Sequence, residues 1–155
     1  MQHRSRSIAF LAAALFAACG GSSGSQPDAG EVNCQNDPRV LTYAPNVTVT
    51  SSGGGTKYAL VTSNPAPPAK GLDNWTLHVS AASSGQAMSG LNLTIQTLMP
   101  DHGHGSPTVP PITDNGGGNY TVTNLYLFMP GVWRIRFFPA ATPGDMADFM
   151  FCVQG

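Results

Sequence analysis

The strongest constraint on the fold is a period of two. From Val47 to Val153, apolar residues recur at every second position over short stretches, and turn residues break the stretches apart. Trp75-x-Leu77-x-Val79, Leu91-x-Leu93-x-Ile95, Trp133-x-Ile135-x-Phe137 and Phe149-x-Phe151-x-Val153 are the longest, while Val47-x-Val49, Tyr58-x-Leu60 and Tyr120-x-Val122 are shorter. Successive side chains of a strand point to opposite faces, so this alternation predicts half-buried β-strands; a helix would need a period near 3.6. Between the stretches lie Gly53-Gly54-Gly55, Asn64 to Pro68, Ser83-Ser84-Gly85, Pro107 to Pro111, Asn115 to Gly118, Met129-Pro130-Gly131 and Ala140 to Gly144. These are the residues that reverse a chain. Seven short strands at this spacing predict an all-β fold, an immunoglobulin-like two-sheet antiparallel β-sandwich, with a closed barrel as the alternative.

Composition narrows the partners. Only 10% of the residues are charged, Lys and Arg total 7, and the formal net charge is -1. Such a chain carries no basic surface for a nucleic-acid backbone, so nucleic acid is not expected as a partner. It also lacks the polybasic patch that would hold it on anionic lipid.

The first residues carry Arg4 and Arg6, and an uninterrupted apolar run follows from Ile8 to Ala18. That run is about half of the ~20 residues a membrane-spanning helix needs, so residues 1–18 read as a signal peptide. Phe16-Ala17-Ala18-Cys19 resembles a bacterial lipobox, with Phe in the place usually held by Leu, and makes Cys19 the expected lipidation site. Residues 19–33, rich in Gly and Ser, then read as a flexible tether, and residues 34–155 as the folded domain. Gly20 after the Cys, rather than Asp, fits carriage to the outer membrane, facing the periplasm. The membrane would be met through the lipid anchor only. With Cys19 lipidated, Cys34 and Cys152 remain, and an even pair in an exported protein implies a disulfide; two free thiols serving as metal ligands are the competing reading.

One run carries chemistry. Met99-Pro100-Asp101-His102-Gly103-His104-Gly105 follows the strand around Leu91 to Leu98 and holds half of the chain's 4 histidines. Two imidazoles one residue apart, flanked by glycines that let the backbone fold back, can direct two nitrogens at one ion, and Met99 adds a thioether. Imidazole with thioether suits copper, the thioether favouring Cu(I), whereas two imidazoles with water or Asp101 suit Cu(II) or zinc. A polar loop with Met99 in the core is the structural alternative. Further on, Tyr120 to Phe128 and Val132 to Phe138 read as a β-hairpin closed by Met129-Pro130-Gly131, and Met129 would join the histidines if that turn lies at their end of the sandwich.

The succession Met-Pro-x-His-Gly-His-Gly, Gly-x-Tyr-x-Val and Met-Pro-Gly-x-Trp-x-Ile, within roughly Trp75 to Phe138, resembles the YtkA-like domain and, more distantly, FixH-type proteins. The resemblance implies a small exported or membrane-anchored β-sandwich associated with copper handling or assembly of cytochrome oxidase. It places Met99, His102 and His104 in the first motif and Met129 in the second. Relatives often carry Met where this chain has His102, which bears on the preference for Cu(I). Unlike FixH-type proteins, this chain has no apolar run long enough to span a membrane.

An enzyme is not expected. The chain has no Gly-x-Ser-x-Gly elbow, no phosphate-cradling Gly-Lys-Ser/Thr and no His-Glu-x-x-His, and its few acidic residues are scattered. The leading expectation is a lipid-anchored envelope protein that binds copper as a carrier or buffer. It would pass the ion to a copper-receiving envelope protein or an oxidase assembly factor. The alternative is a non-metal β-sandwich interaction module of the bacterial envelope.

Overall fold

The structure is a computed structural model of the protein and describes residues 33–155. The expected leader over residues 1–18, the lipidation site Cys19 and the tether as far as residue 32 lie outside the described residues. Among the described residues eight strands follow one another: β1 (Val47–Thr50), β2 (Thr56–Asn64), β3 (Gly71–Ala81), β4 (Leu93–Leu98), β5 (Ile112–Gly116), β6 (Asn119–Leu127), β7 (Gly131–Pro139) and β8 (Ala147–Val153). They form a five-stranded sheet in the order β1-β2-β3-β6-β5 and a three-stranded sheet in the order β4-β7-β8, all pairs antiparallel. With β1 set aside, β2-β3-β6-β5 facing β4-β7-β8 is the strand order of a constant-type immunoglobulin sandwich. Two separate sheets replace the closed barrel.

The alternation builds the core directly. Trp75, Leu77 and Val79 of β3, Trp133, Ile135 and Phe137 of β7, and Phe149, Phe151 and Val153 of β8 are all buried between the sheets. Trp75 meets Phe137, Phe149 and Phe151 at ring-centroid distances of 6.3, 6.0 and 5.7 Å. Each such aromatic side chain contributes about 2 kcal/mol through the apolar area it removes from water.

Two expectations are corrected. No strand is expected between the turn residues Pro107 to Pro111 and Asn115 to Gly118, yet Ile112–Gly116 forms the edge strand β5 on β6. Its residues Thr113 to Gly116 are exposed, so no alternation marks them. The expected hairpin of residues 120–128 and 132–138 is absent. β6 spends one edge on β3 and the other on β5, while β7 pairs with β4 and β8 in the opposite sheet. Met129-Pro130 is therefore a crossover between the sheets.

The register fixes what shares an end. Gly71 pairs with Leu127, Leu98 with Arg134, and Gly131 with Val153. The loop after β4, the crossover after β6, the loop before β3 and the chain's C-terminus thus gather at one end. A disulfide joins Cys34 to Cys152 there, with Cα atoms 5.4 Å apart across a separation of 118 residues. The N-terminal segment it anchors continues along β8, where the Leu41 N–H donates to the Met150 carbonyl at 2.7 Å.

Candidate functional site

The loop that carries the histidines is closed by its own backbone. The Met99 N–H donates to the His104 carbonyl at 2.7 Å, and the Met99 carbonyl accepts from the N–H groups of His102 at 3.1 Å and Gly103 at 2.9 Å. Pro100 supplies the fixed φ that opens such a turn, and Gly103, at φ 71°, takes the left-handed conformation that ends it. Gly105 serves differently: a Cβ there would overlap the Thr97 carbonyl oxygen, so only glycine lets the returning chain pass so close to β4. The two glycines around His104 are thus required by the turn itself.

The crossover after β6 is built against this loop. The Trp133 indole N–H donates to the Met129 carbonyl at 2.8 Å, tying the turn to the buried tryptophan of β7. Gly131 has φ 135°, and a Cβ on it would lie 2.8 Å from the Met99 methyl. The spacing Met-Pro-Gly-x-Trp therefore encodes a tethered carbonyl and a gap filled by Met99.

His102 and His104 are both exposed, their ring centroids 5.6 Å apart and their planes inclined at 65°. His104 stacks on Phe128 at 5.7 Å, and Phe128 meets Trp133 edge-on at 5.6 Å. Met129, next in the chain, is half-buried at the same end. Met99 is not with them. Its strand position carries the side chain inward, where it is fully buried in the core, so the expectation of a surface ligand at Met99 gives way to a packing role. Among the described residues, no three or more His, Cys, Asp or Glu side chains gather into a metal-holding group. The donors brought together at the surface are the two imidazoles, and Met129 lies on the crossover at the same end.

Sequence reasoning passed over the charges around this loop. Arg39, in the segment after Cys34, grips Asp101 with both arms, Nη1 to Oδ1 at 2.7 Å and Nη2 to Oδ2 at 2.8 Å. Asp37 holds the same guanidinium from the other side, with Nη2 to Oδ2 at 2.6 Å and Nε to Oδ1 at 2.9 Å. These hydrogen bonds pull the Asp101 carboxyl below its ordinary range and that of Asp37 down to about 2. The only signal available was scarcity, since a cation is conspicuous in a chain with 7 Lys and Arg. Deeper at this end, Asp73 of β3 is fully buried, and neither carboxyl oxygen has a hydrogen-bond partner among the described residues. Burial pushes its carboxyl up to about 7.

Fold and loop together define a class: an immunoglobulin-like sandwich that presents two imidazoles beside a methionine-bearing crossover. The family model for YtkA-like domains matches residues 52–138, more than half of the chain. The chain belongs to the YtkA-like family. No curated protein and no solved structure matches it.

Proposed function

We propose that this YtkA-like domain binds copper at the exposed pair His102 and His104, with Met129 as a third donor, and acts in the bacterial envelope as a carrier or buffer. The observation that carries the reading is the pairing of the two rings. Imidazole nitrogen is a good ligand for copper and zinc, and the two exposed rings lie side by side on one tight turn, their centroids 5.6 Å apart, which supports their serving one ion together. The mechanism is ligand exchange: a site exposed on a tight turn can give up one ligand at a time to a receiving protein. Met99 supports the turn from below and lies outside the ligand set. The lipid anchor at Cys19 and the placement at the outer membrane rest on the leader sequence.

The test is a copper titration of the purified protein, with Cu(I) against a competing chelator and separately with Cu(II), beside His102→Ala/His104→Ala. The proposal expects one-to-one binding that the double variant loses. Equal binding by both proteins overturns it. One observation favours the second reading, a non-metal interaction module: Leu72, Val109 and Tyr126 stand 59%, 78% and 37% exposed. Leu72 and Tyr126 are partners across β3 and β6, so they share the outer face of the larger sheet.

A further inference from the structure

Asp101 is the only carboxylate in the histidine loop and precedes His102 directly. With its side chain free, it is the natural third donor beside two imidazoles, and a carboxylate oxygen favours Zn(II) and Cu(II) over Cu(I). The fold withholds it. Both Asp101 oxygens accept from Arg39, in the two-armed geometry that uses a carboxylate's lone pairs and neutralises its charge.

Arg39 is itself held in place. Asp37 accepts from its Nε, Nη2 and backbone N–H, so the guanidinium is fixed before it reaches Asp101. The segment is pinned in turn by the Cys34–Cys152 disulfide, by the Asp37 N–H on the Cys34 carbonyl at 3.1 Å, and by Leu41 on β8. An exposed ion pair of this kind adds little to stability. Its consequence lies in what it removes from the loop.

We propose that Arg39 is a positioning residue that sets the metal selectivity of the His102/His104 pair by holding Asp101 out of the coordination sphere. This rests on the copper reading of the same site and deepens it. Arg39 keeps the donor set to neutral nitrogen and sulfur, so the site discriminates against harder ions that a carboxylate would recruit. Releasing Asp101 converts the pair into a two-imidazole, one-carboxylate site.

The test measures Zn(II), Cu(II) and Cu(I) affinities of the full protein and of Arg39→Gln, Asp101→Asn and the double variant, with Cu(II) spectra by electron paramagnetic resonance. Arg39→Gln should strengthen Zn(II) and Cu(II) binding about tenfold while leaving Cu(I) unchanged, the scale on which partners of metal ligands act. Its Cu(II) spectrum should shift as an oxygen ligand enters. Asp101→Asn alone should change nothing, and Arg39→Gln/Asp101→Asn should return to the parent's affinities. A uniform loss for all three ions in Arg39→Gln, or a gain that persists in the double variant, overturns the proposal by reducing Arg39 to a structural or purely electrostatic role. Weakened binding in Asp101→Asn overturns it too, since Asp101 would then already be a ligand. If neither the parent nor any variant binds any of the three ions, the copper reading itself fails and this inference with it.

Discussion

The two ends of the sandwich are both built on glycine-rich turns and end in opposite chemistry. At the far end, Asp114 turns inward on the loops: its Oδ1 accepts from the Gly116 N–H and its Oδ2 from the Gly90 N–H, while Ser89 accepts from Gly118. His78, near that end, is paired with Asn119 at 3.1 Å. Polar side chains there satisfy the backbone. At the histidine end the backbone closes on itself through Met99 and His104, and the loop's own carboxylate, Asp101, is taken up by Arg39. The imidazoles are left to each other and to Phe128. Glycine content alone does not mark a site; what matters is whether the side chains of the turn are consumed in holding it.

The largest expected effect comes from the disulfide, which belongs to the histidine end alone. Closing a loop of 118 residues stabilises the fold by about 5 kcal/mol on the chain-entropy account. Cys34→Ala/Cys152→Ala should therefore lower the melting temperature by more than about 10 °C. Hydrogen exchange should rise first along residues 34–43 and in the loop of residues 99–105, with the Gly116 and Gly118 amides keeping their protection. Equal loss of protection at both ends would dissolve the contrast between them.

Asp73 sharpens the contrast through pH. Its counterpart at the far end, Asp114, has a carboxyl drawn below its ordinary range by the Gly90 and Gly116 N–H groups, whereas burial pushes the unpartnered Asp73 up to about 7. A folded value raised above the unfolded one means that the native state holds the proton more tightly. Stability is then greatest where the carboxyl is protonated in both states, falls as pH rises from about 4, and levels off above about 7. The drop amounts to on the order of 4 kcal/mol, and Asp73→Asn should remove most of it. Urea unfolding of both proteins at a series of pH values reads this directly; an unchanged slope in the variant would show that Asp73 is not its source.

Much of the fold was legible because burial alternates with the strand period. Trp75, Leu77 and Val79 or Trp133, Ile135 and Phe137 announce both the strand and its inner face. β5 was not legible, since an exposed edge strand of Thr113-Asp114-Asn115 has no inner face to encode. Nor was the pairing of β6: two alternating runs around Met-Pro-Gly look alike whether the turn closes a hairpin or crosses between sheets. Which of the two forms depends on strands far away in the chain. The candidate site divides along the same line. His102 and His104 are neighbours in sequence and remain so in space, whereas Arg39 reaches Asp101 across 62 residues and no local pattern announces it. Met99 lay between, claimed by the histidine motif and by the strand alternation, and the alternation won.

The smallest effect separates two uses of glycine, one at each end. Gly116 has φ 79° with nothing within 4 Å of a Cβ built on it, so Gly116→Ala meets only the left-handed backbone cost, about 1 kcal/mol. Gly105 has no such conformation, but a Cβ there runs into the Thr97 carbonyl, which cannot yield without moving β4. Gly105→Ala should therefore cost more, about 2 kcal/mol, a size typical of overpacking against fixed atoms. It should also displace His104, whose carbonyl holds the Met99 N–H. Copper affinity is expected to fall in Gly105→Ala and to stay at the parent's value in Gly116→Ala. If Gly105→Ala melts and binds copper as Gly116→Ala does, the close passage of the loop over Thr97 is not what presents the histidines.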